Sequence, residues 1–204
     1  DLMKNLNSWG NCPKVNETEA RSVGSDCSIT YEQKKVLPRG KGRSYGDSCL
    51  NNSHVLLLTE ELNKIISFDE ENGTIKCQSG VTFNQILNEI VPRGWFLPVT
   101  PGTKFLTVGG AIANDVHGKN HHLMGTFGCH VKELELIRSD KAKTICSNNK
   151  NKELFKATIG GLGLTGFITW AEIQLIPIQS SYLETETIKF ASLEEFEDLS
   201  QRHS

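Results

Sequence analysis

Three glycine-bearing loops, "RGKGRSYGD" (39–47), "TPGTKFLTVGG" (100–110) and "HGKNHHLMGTFG" (117–128), hold most of the residues that could do chemistry in this chain. Glycine tolerates positive φ and lets main-chain amides approach a ligand closely. Successive N–H groups in such turns form anion-binding concavities. One such loop is an ordinary corner, but three together point to a bound diphosphate. At Val108-Gly109-Gly110 the second loop enters a helix, so free N–H groups and the positive dipole end are expected to receive that anion. The third loop adds histidine: His117, His121, His122 and His130 are four of the chain's six, with Cys129 adjacent. These types suit a metal, but Gly118 separates His117 from His121 and no helical pattern supports the pair. No metal is expected. A histidine beside a redox ring or a sugar hydroxyl is the better use, because imidazole exchanges protons near neutral pH.

A fourth string, "IGGLGLTGF" (159–167), contains G-x-G-x-x-G at Gly161, Gly163 and Gly166. The dinucleotide fingerprint must leave a strand and open a helix. Here the order is reversed. Leu154, Phe155 and Ile159 have helical spacing upstream, while Phe167, Thr169, Ala171, Ile173 and Leu175 alternate as a strand downstream. The glycines therefore read as a helix end and a tight turn. "GKGRSYGD" likewise lacks G-x-x-x-x-G-K-[ST] and opens no apolar helix, so it is not a P-loop.

The elements that must position these loops are short. "KKVLPRG" and "VLLLT" read as strands around the first loop. "KIISFDEENGTIKCQSG" reads as a hairpin, Ile66 and Phe68 facing Ile75 and Cys77 across a type I′ turn at Asn72-Gly73. Thr82 and Gln85 form a capping box, followed by the apolar stripe Phe83, Ile86, Leu87, Ile90 and Val91 and stopped by Pro92 and Gly94. "TVGGAIANDVHGKNHH" reads as a short helix running into a loop. "HVKELELIRSDKAKTICS" is a second hairpin, then come a helix at 151–159 and a long strand to Pro177. Ser192 and Glu195 form another capping box, which starts a last helix. Residues 1–34 are polar and poorly periodic. Strands and hairpins with single helices between them imply an α+β fold, not a doubly wound sheet.

The 204 residues can form one large domain or two small lobes. With 22 basic against 24 acidic residues, no nucleic-acid footprint is present. No apolar run reaches the roughly 18 residues of a spanning helix, and no signal peptide is visible in "DLMKNLNSWG". Six scattered cysteines without C-x-x-C read as reduced, cytosolic thiols.

"RGKGRSYGD", "PGTKFLTVGGAIANDVHGKNHH", "GTFGCHV" and "ELFKATIGGLGLTGFI" occur in that order. Together they resemble the FAD-binding domain of the vanillyl-alcohol oxidase/p-cresol methylhydroxylase (PCMH) superfamily. The likeness covers about 37–178, and "NSWGNCP" matches the family's opening. Within the superfamily, the motifs are most similar to the branch that oxidises a polyprenyl-phosphoryl ribose for cell-wall synthesis.

The resemblance implies two α/β lobes clasping FAD. Arg39, Gly40, Gly42, Arg43, Ser44 and Tyr45 would wrap the diphosphate and ring edge. Pro101, Gly102, Thr103, Val108, Gly109 and Gly110 would form the opposite wall. His117 would lie beside the isoalloxazine, with Gly118 and Lys119 toward the substrate. Gly125, Gly163, Thr165, Gly166 and Ile168 would line the pyrimidine and adenine side. His117, Lys119 and Tyr45 are the candidate catalytic residues: His117 as base or positioner, Lys119 as anchor for a substrate phosphate. Some relatives tether FAD through a histidine in G-x-G-H-S. Here the string is Gly40-Lys41-Gly42-Arg43-Ser44, so non-covalent FAD is expected, with Arg43 able to pair with phosphate.

The implied activity is hydride transfer from a secondary hydroxyl of a polyprenyl-phosphoryl sugar to flavin. Sugar-lactone or alditol oxidation, and FAD binding without turnover, are the alternatives, and a domain without cofactor is a third. Expected partners are a small or lipid-linked sugar and an NAD(P)H-dependent reductase. Neither nucleic acid nor a transmembrane segment is expected, and the location would be cytoplasmic, peripheral at the inner membrane face. Residues 1–36 are expected to form an N-terminal segment with an incomplete first lobe, since residues 10–36 are too short and polar for the family's full strand–helix unit. Residues 37–178 are the FAD-binding domain. Residues 179–204 are expected to begin a substrate domain that is missing from this chain.

Overall fold

A computed structural model describes residues 6–15, 18–24, 27, 35–140 and 142–202. The strands are β1 (Glu19–Ser22), β2 (Val36–Arg39), β3 (Val55–Leu58), β4 (Ile65–Asp69), β5 (Thr74–Gln78), β6 (Trp95–Phe96), β7 (Val131–Ile137), β8 (Lys143–Ser147), β9 (Phe167–Gln174) and β10 (Ile176–Pro177). The helices are α1 (Phe83–Ile90), α2 (Val108–Ala113), α3 (His121–Met124), α4 (Lys152–Thr158) and α5 (Leu193–Arg202). Single 3-10 turns lie at Val91–Arg93 and Phe127–His130. The fold is α+β, as the pattern of elements implied.

Two sheets define two lobes. The first is parallel, in the order β1-β3-β2, with β3 buried between its neighbours. "VLLL" is apolar at every position because a central parallel strand is covered on both faces. The second is antiparallel, in the order β4-β5-β9-β7-β8, and β10 pairs separately with β6. The main core fills the space between this second sheet and α1 and α2. It holds Ile75, Ile173, Leu134 and Leu136 from the strands, with Phe83, Ile86, Ile90 and Ile112 from the helices. A smaller cluster joins the lobes: Val55 and Leu57 of β3 pack with Leu62, Ile137 and Phe167.

The α1 capping box forms as written: the Gln85 N–H donates to Thr82 Oγ1 at 3.3 Å and the Thr82 N–H to Gln85 Oε1 at 2.9 Å. Three expectations change. The polar N-terminal stretch contains β1, whose strand character comes from pairing with β3 and not from its own periodicity. Residues 25–26 and 28–34, part of the segment expected to lack a full strand–helix unit, lie outside the described residues.

The first hairpin does not turn at Asn72-Gly73 alone. Asp69 pairs with Thr74, and its carboxylate accepts the N–H groups of Glu71 and Asn72, both at 3.0 Å. An aspartate at the head of a turn closes it with its side chain, so a longer loop displaces the type I′ turn. These bonds, that of the Asn72 side chain first, hold the Asp69 carboxyl below its ordinary range. Phe68 faces Ile75 as expected, but Cys77 pairs with Ile65, and Ile66 bulges outward. In the last capping box, Glu195 reaches the Ala191 N–H while Ser192 Oγ accepts from the Glu195 N–H.

Candidate functional site

A cleft of about 760 Å³ opens at the seam between the lobes. That volume lies in the range of small-molecule and cofactor sites, roughly 300–1,000 Å³. It sits at the carboxyl ends of β2 and β3, where α/β architectures bind ligands. The connection from β2 to β3, residues 40–54, contains no helix. Its amides are therefore not committed to a helical ladder. Among the described residues, none of the N–H groups of Gly40 through Tyr45 finds an acceptor. Gly42 holds φ at +64°, which turns this run back on itself, a conformation that L side chains rarely adopt.

The second loop enters differently from what its sequence implied. The Val108 and Gly109 N–H groups donate to Val81 O and Ser79 O, each at 2.8 Å. The Gly110 N–H donates to Thr107 Oγ1 at 3.2 Å and the Ala111 N–H to Thr107 O at 2.8 Å. The start of α2 thus has no free amides for a diphosphate. Strand-like pairing with 79–81 and the Thr107 cap take all four, which corrects the expectation of a helix-end anion site. Residues 40–45, whose N–H groups find no acceptor among the described residues, line the cleft.

The third loop is fixed by a short ladder. His117 bridges Thr126, and the Phe127 N–H donates to Val116 O at 2.8 Å. Asn120 Nδ2 donates to Pro98 O at 3.1 Å, tying this loop to the segment that leads into the second. The His117 and His121 rings meet edge-on at 5.7 Å, and the His121 Nδ1–H donates to Gly118 O at 3.2 Å. The His130 Nε2–H donates to Met124 O at 2.8 Å. Among the described residues, no group of three metal-ligating side chains converges.

Of the residues singled out in the sequence, Arg39, Gly40, Gly42, Arg43, Ser44, Tyr45, Pro101, Gly102, Thr103, Gly109, Gly110, His117, Gly163, Gly166 and Ile168 line the cleft. Five do not. Val108 is buried in the main core. Gly118 is buried where a side chain would press on Thr100 O at 2.8 Å. Lys119 is exposed and makes no ion pair with a described residue. Gly125 ends α3 against Cys129, and the Thr165 hydroxyl lies 2.9 Å from that of Thr158.

Two lining arginines differ in what they can offer. Arg39 is buried, and its Nη1 and Nη2 donate to Cys49 O at 2.9 Å and Asn7 O at 2.8 Å. Its guanidinium pins two chain segments to the end of β2. Arg43 is exposed and stacks 5.0 Å over the Trp9 ring, leaving its charge at the cleft. The sequence reading missed Thr59, Thr107 and Ser79, three buried hydroxyl residues in the cleft wall. Thr107 was legible as a Thr immediately before a helix; nothing in "CQSG" marks Ser79. The Ser79 Oγ is buried and finds no partner among the described residues.

Residues 27–146 match the model of a family described as FAD binding domain. The chain is 39% identical over 161 residues, 78% of its length, to decaprenylphosphoryl-β-D-ribose oxidase of Mycolicibacterium smegmatis, covering 35% of that protein. It is 27% identical over 188 residues, 89% of its length, to D-lactate dehydrogenase of Anaerostipes hadrus, covering 39% of it. It is 32% identical over 116 residues, 57% of its length, to human Δ(24)-sterol reductase, covering 22% of it. The chain thus spans well under half the length of these relatives. Among the described residues, no helix is long and apolar enough to cross a membrane.

Proposed function

This chain belongs to the FAD-binding domain family of flavin oxidoreductases, and from that premise we propose that it oxidises a secondary hydroxyl of a sugar carried on a polyprenyl phosphate. The proposed reach of the domain is residues 37–178. The cofactor is FAD, and the cleft fits it on its own evidence. A run of unpaired amides, a left-handed Gly42 and a buried unpartnered hydroxyl are what a diphosphate-bearing ligand would complete.

The residues proposed to hold FAD are Gly40, Gly42, Ser44 and Tyr45 through the first loop, with Arg43, stacked on Trp9 and donating to Lys41 O at 3.3 Å, as the exposed positive charge at the rim. Pro101, Gly102 and Thr103 would close the opposite wall. Because Arg43 stands where some relatives carry a tethering histidine, FAD is proposed to be held without a covalent bond. When bound, FAD supplies the acceptor for the hydride that leaves the sugar carbon.

The hydroxyl proton must then leave as well. His117 lines the same cleft as the free amides, and that single observation supports the reading best. An imidazole nitrogen of His117 takes the proton as the C–H bond breaks, so the alcohol becomes a ketone without a charged oxygen intermediate. Lys119, exposed two residues on, is proposed to meet the substrate phosphate outside the cleft. Tyr45, 75% exposed on the first loop, is proposed to border the flavin edge. An NAD(P)H-dependent reductase as partner and work at the cytoplasmic membrane face belong to the same proposal.

The test is spectroscopic. Purified full-length protein should be yellow, release its flavin on acid precipitation, and bleach anaerobically with a polyprenyl-phosphoryl pentose. Bleaching instead by D-lactate or a sugar lactone would move the substrate to hydroxy acids or lactones. A flavin reduced by none of them would leave FAD binding without this turnover.

A further inference from the structure

The two buried side-chain polar atoms without a partner among the described residues are His54 Nδ1 and Ser79 Oγ, and Ser79 alone lines the cleft. Ser79 is 2% exposed, and its main chain is fixed on both sides. Its N–H donates to Thr169 O at 2.9 Å, and its carbonyl accepts from the Gly109 N–H at 2.8 Å. The residue cannot move away from the seam without breaking the join between β5, β9 and α2. Its Cβ would lie 3.0 Å from a side chain on Gly109, so the α2 side of the wall is closed over it. A hydroxyl buried with no acceptor costs roughly 1–3 kcal/mol. Such a group in a native structure needs a reason.

We infer that the Ser79 hydroxyl donates a hydrogen bond to a diphosphate oxygen of the bound dinucleotide, completing from the antiparallel lobe the cradle that the amides of residues 40–45 begin. The inference rests on the FAD reading above. The choice of diphosphate follows from neighbours. Gly109, which covers Ser79, is two residues from Thr107, and Thr107 Oγ1 abuts Gly40, where the unpaired amides start. Ser79 and residues 40–45 line the same cleft, so in the inferred arrangement an oxygen-rich anion there would take N–H donors from one lobe and an O–H donor from the other. Carbon or aromatic ligand surface there would leave the hydroxyl unsatisfied.

This makes an unusual thermodynamic demand. Ser79→Ala removes an unsatisfied group from the flavin-free protein and a satisfied one from the FAD complex. Flavin-stripped Ser79→Ala should therefore melt at the same temperature as the parent or higher, while its FAD Kd rises three- to tenfold. ADP, which carries the diphosphate but no flavin, should lose the same factor. Ser79→Cys, which keeps the volume and donates weakly, should fall between.

Equal FAD Kd values for parent and Ser79→Ala, with both proteins folded, would overturn the inference and leave FAD binding intact. A loss with FAD but none with ADP would overturn the diphosphate assignment. A flavin-free variant that melts lower, with unchanged Kd, would make Ser79 purely structural. If the parent itself bound neither FAD nor ADP, the underlying reading would fail together with the inference.

Discussion

Thr107 Oγ1 fills the space into which a side chain on Gly40 would grow, and it cannot turn aside because it also caps α2 by accepting the Gly110 N–H at 3.2 Å. One contact thus fits the first glycine loop against the second. Gly40→Ala should cost about 1–3 kcal/mol through overpacking, and denaturant unfolding measures that loss. Thr107→Ala in the Gly40→Ala background should recover part of it, a coupling that two independent sites would not show.

Arg39 lines the cleft, and its guanidinium donates to the protein at Cys49 O and Asn7 O. Arg39→Lys keeps the charge and cannot bridge Cys49 O and Asn7 O in the same way. Stability should fall by about 3 kcal/mol, since a buried charge loses partners. Chemical denaturation followed by far-UV signal reads this. A stability equal to the parent with only FAD affinity reduced would instead make Arg39 a ligand contact.

His117 is exposed at the cleft and packs into no core cluster. His117→Ala should therefore leave Tm nearly unchanged while lowering kcat by about 10²-fold or more. Unaltered turnover would remove His117 from proton transfer. Lys119→Ala should raise KM for a phosphorylated substrate and leave a non-phosphorylated analogue alone.

Leu162 lines the cleft with φ at +53°, a left-handed conformation for a residue with a branched side chain. Its N–H donates to Ala113 O at 2.8 Å, which holds it there. Leu162→Gly should gain up to about 1 kcal/mol from relieved backbone strain. Leu162→Val should lose stability, because β-branching is worst at positive φ. Thermal melts of the two variants should move in opposite directions.

Asp69 has its carboxyl held below the usual range by the Asn72 side chain and the turn amides. A lowered folded-state pKa stabilises the protein above the ordinary carboxylate value and loses that contribution as pH falls through the folded one. Asp69→Ala should therefore melt below the parent at neutral pH, and the gap should narrow in acid. A gap that stayed constant with pH would mean the charge plays no part in closing the turn.

Much of the molecule was legible as a string. The capping box at Thr82 and Gln85, the helix end before Gly161 and the alternation from Phe167 to Leu175 depend on neighbours within a few residues, so local rules found them. The glycine loops announced close backbone approach for the same reason. What the string could not carry is where those loops go after folding. β1 reads as polar because its strand state comes from β3, more than thirty residues away. Val108-Gly109-Gly110 looked like an open helix start, yet residues 79–81 take the first two amides and the Thr107 hydroxyl takes the third. Whether an N–H is free is a property of the whole chain. Residue types and local geometry were fixed by the sequence alone; the cleft, the roles of Arg39 and Arg43, and the orphaned Ser79 hydroxyl were decided by long-range pairing between two sheets.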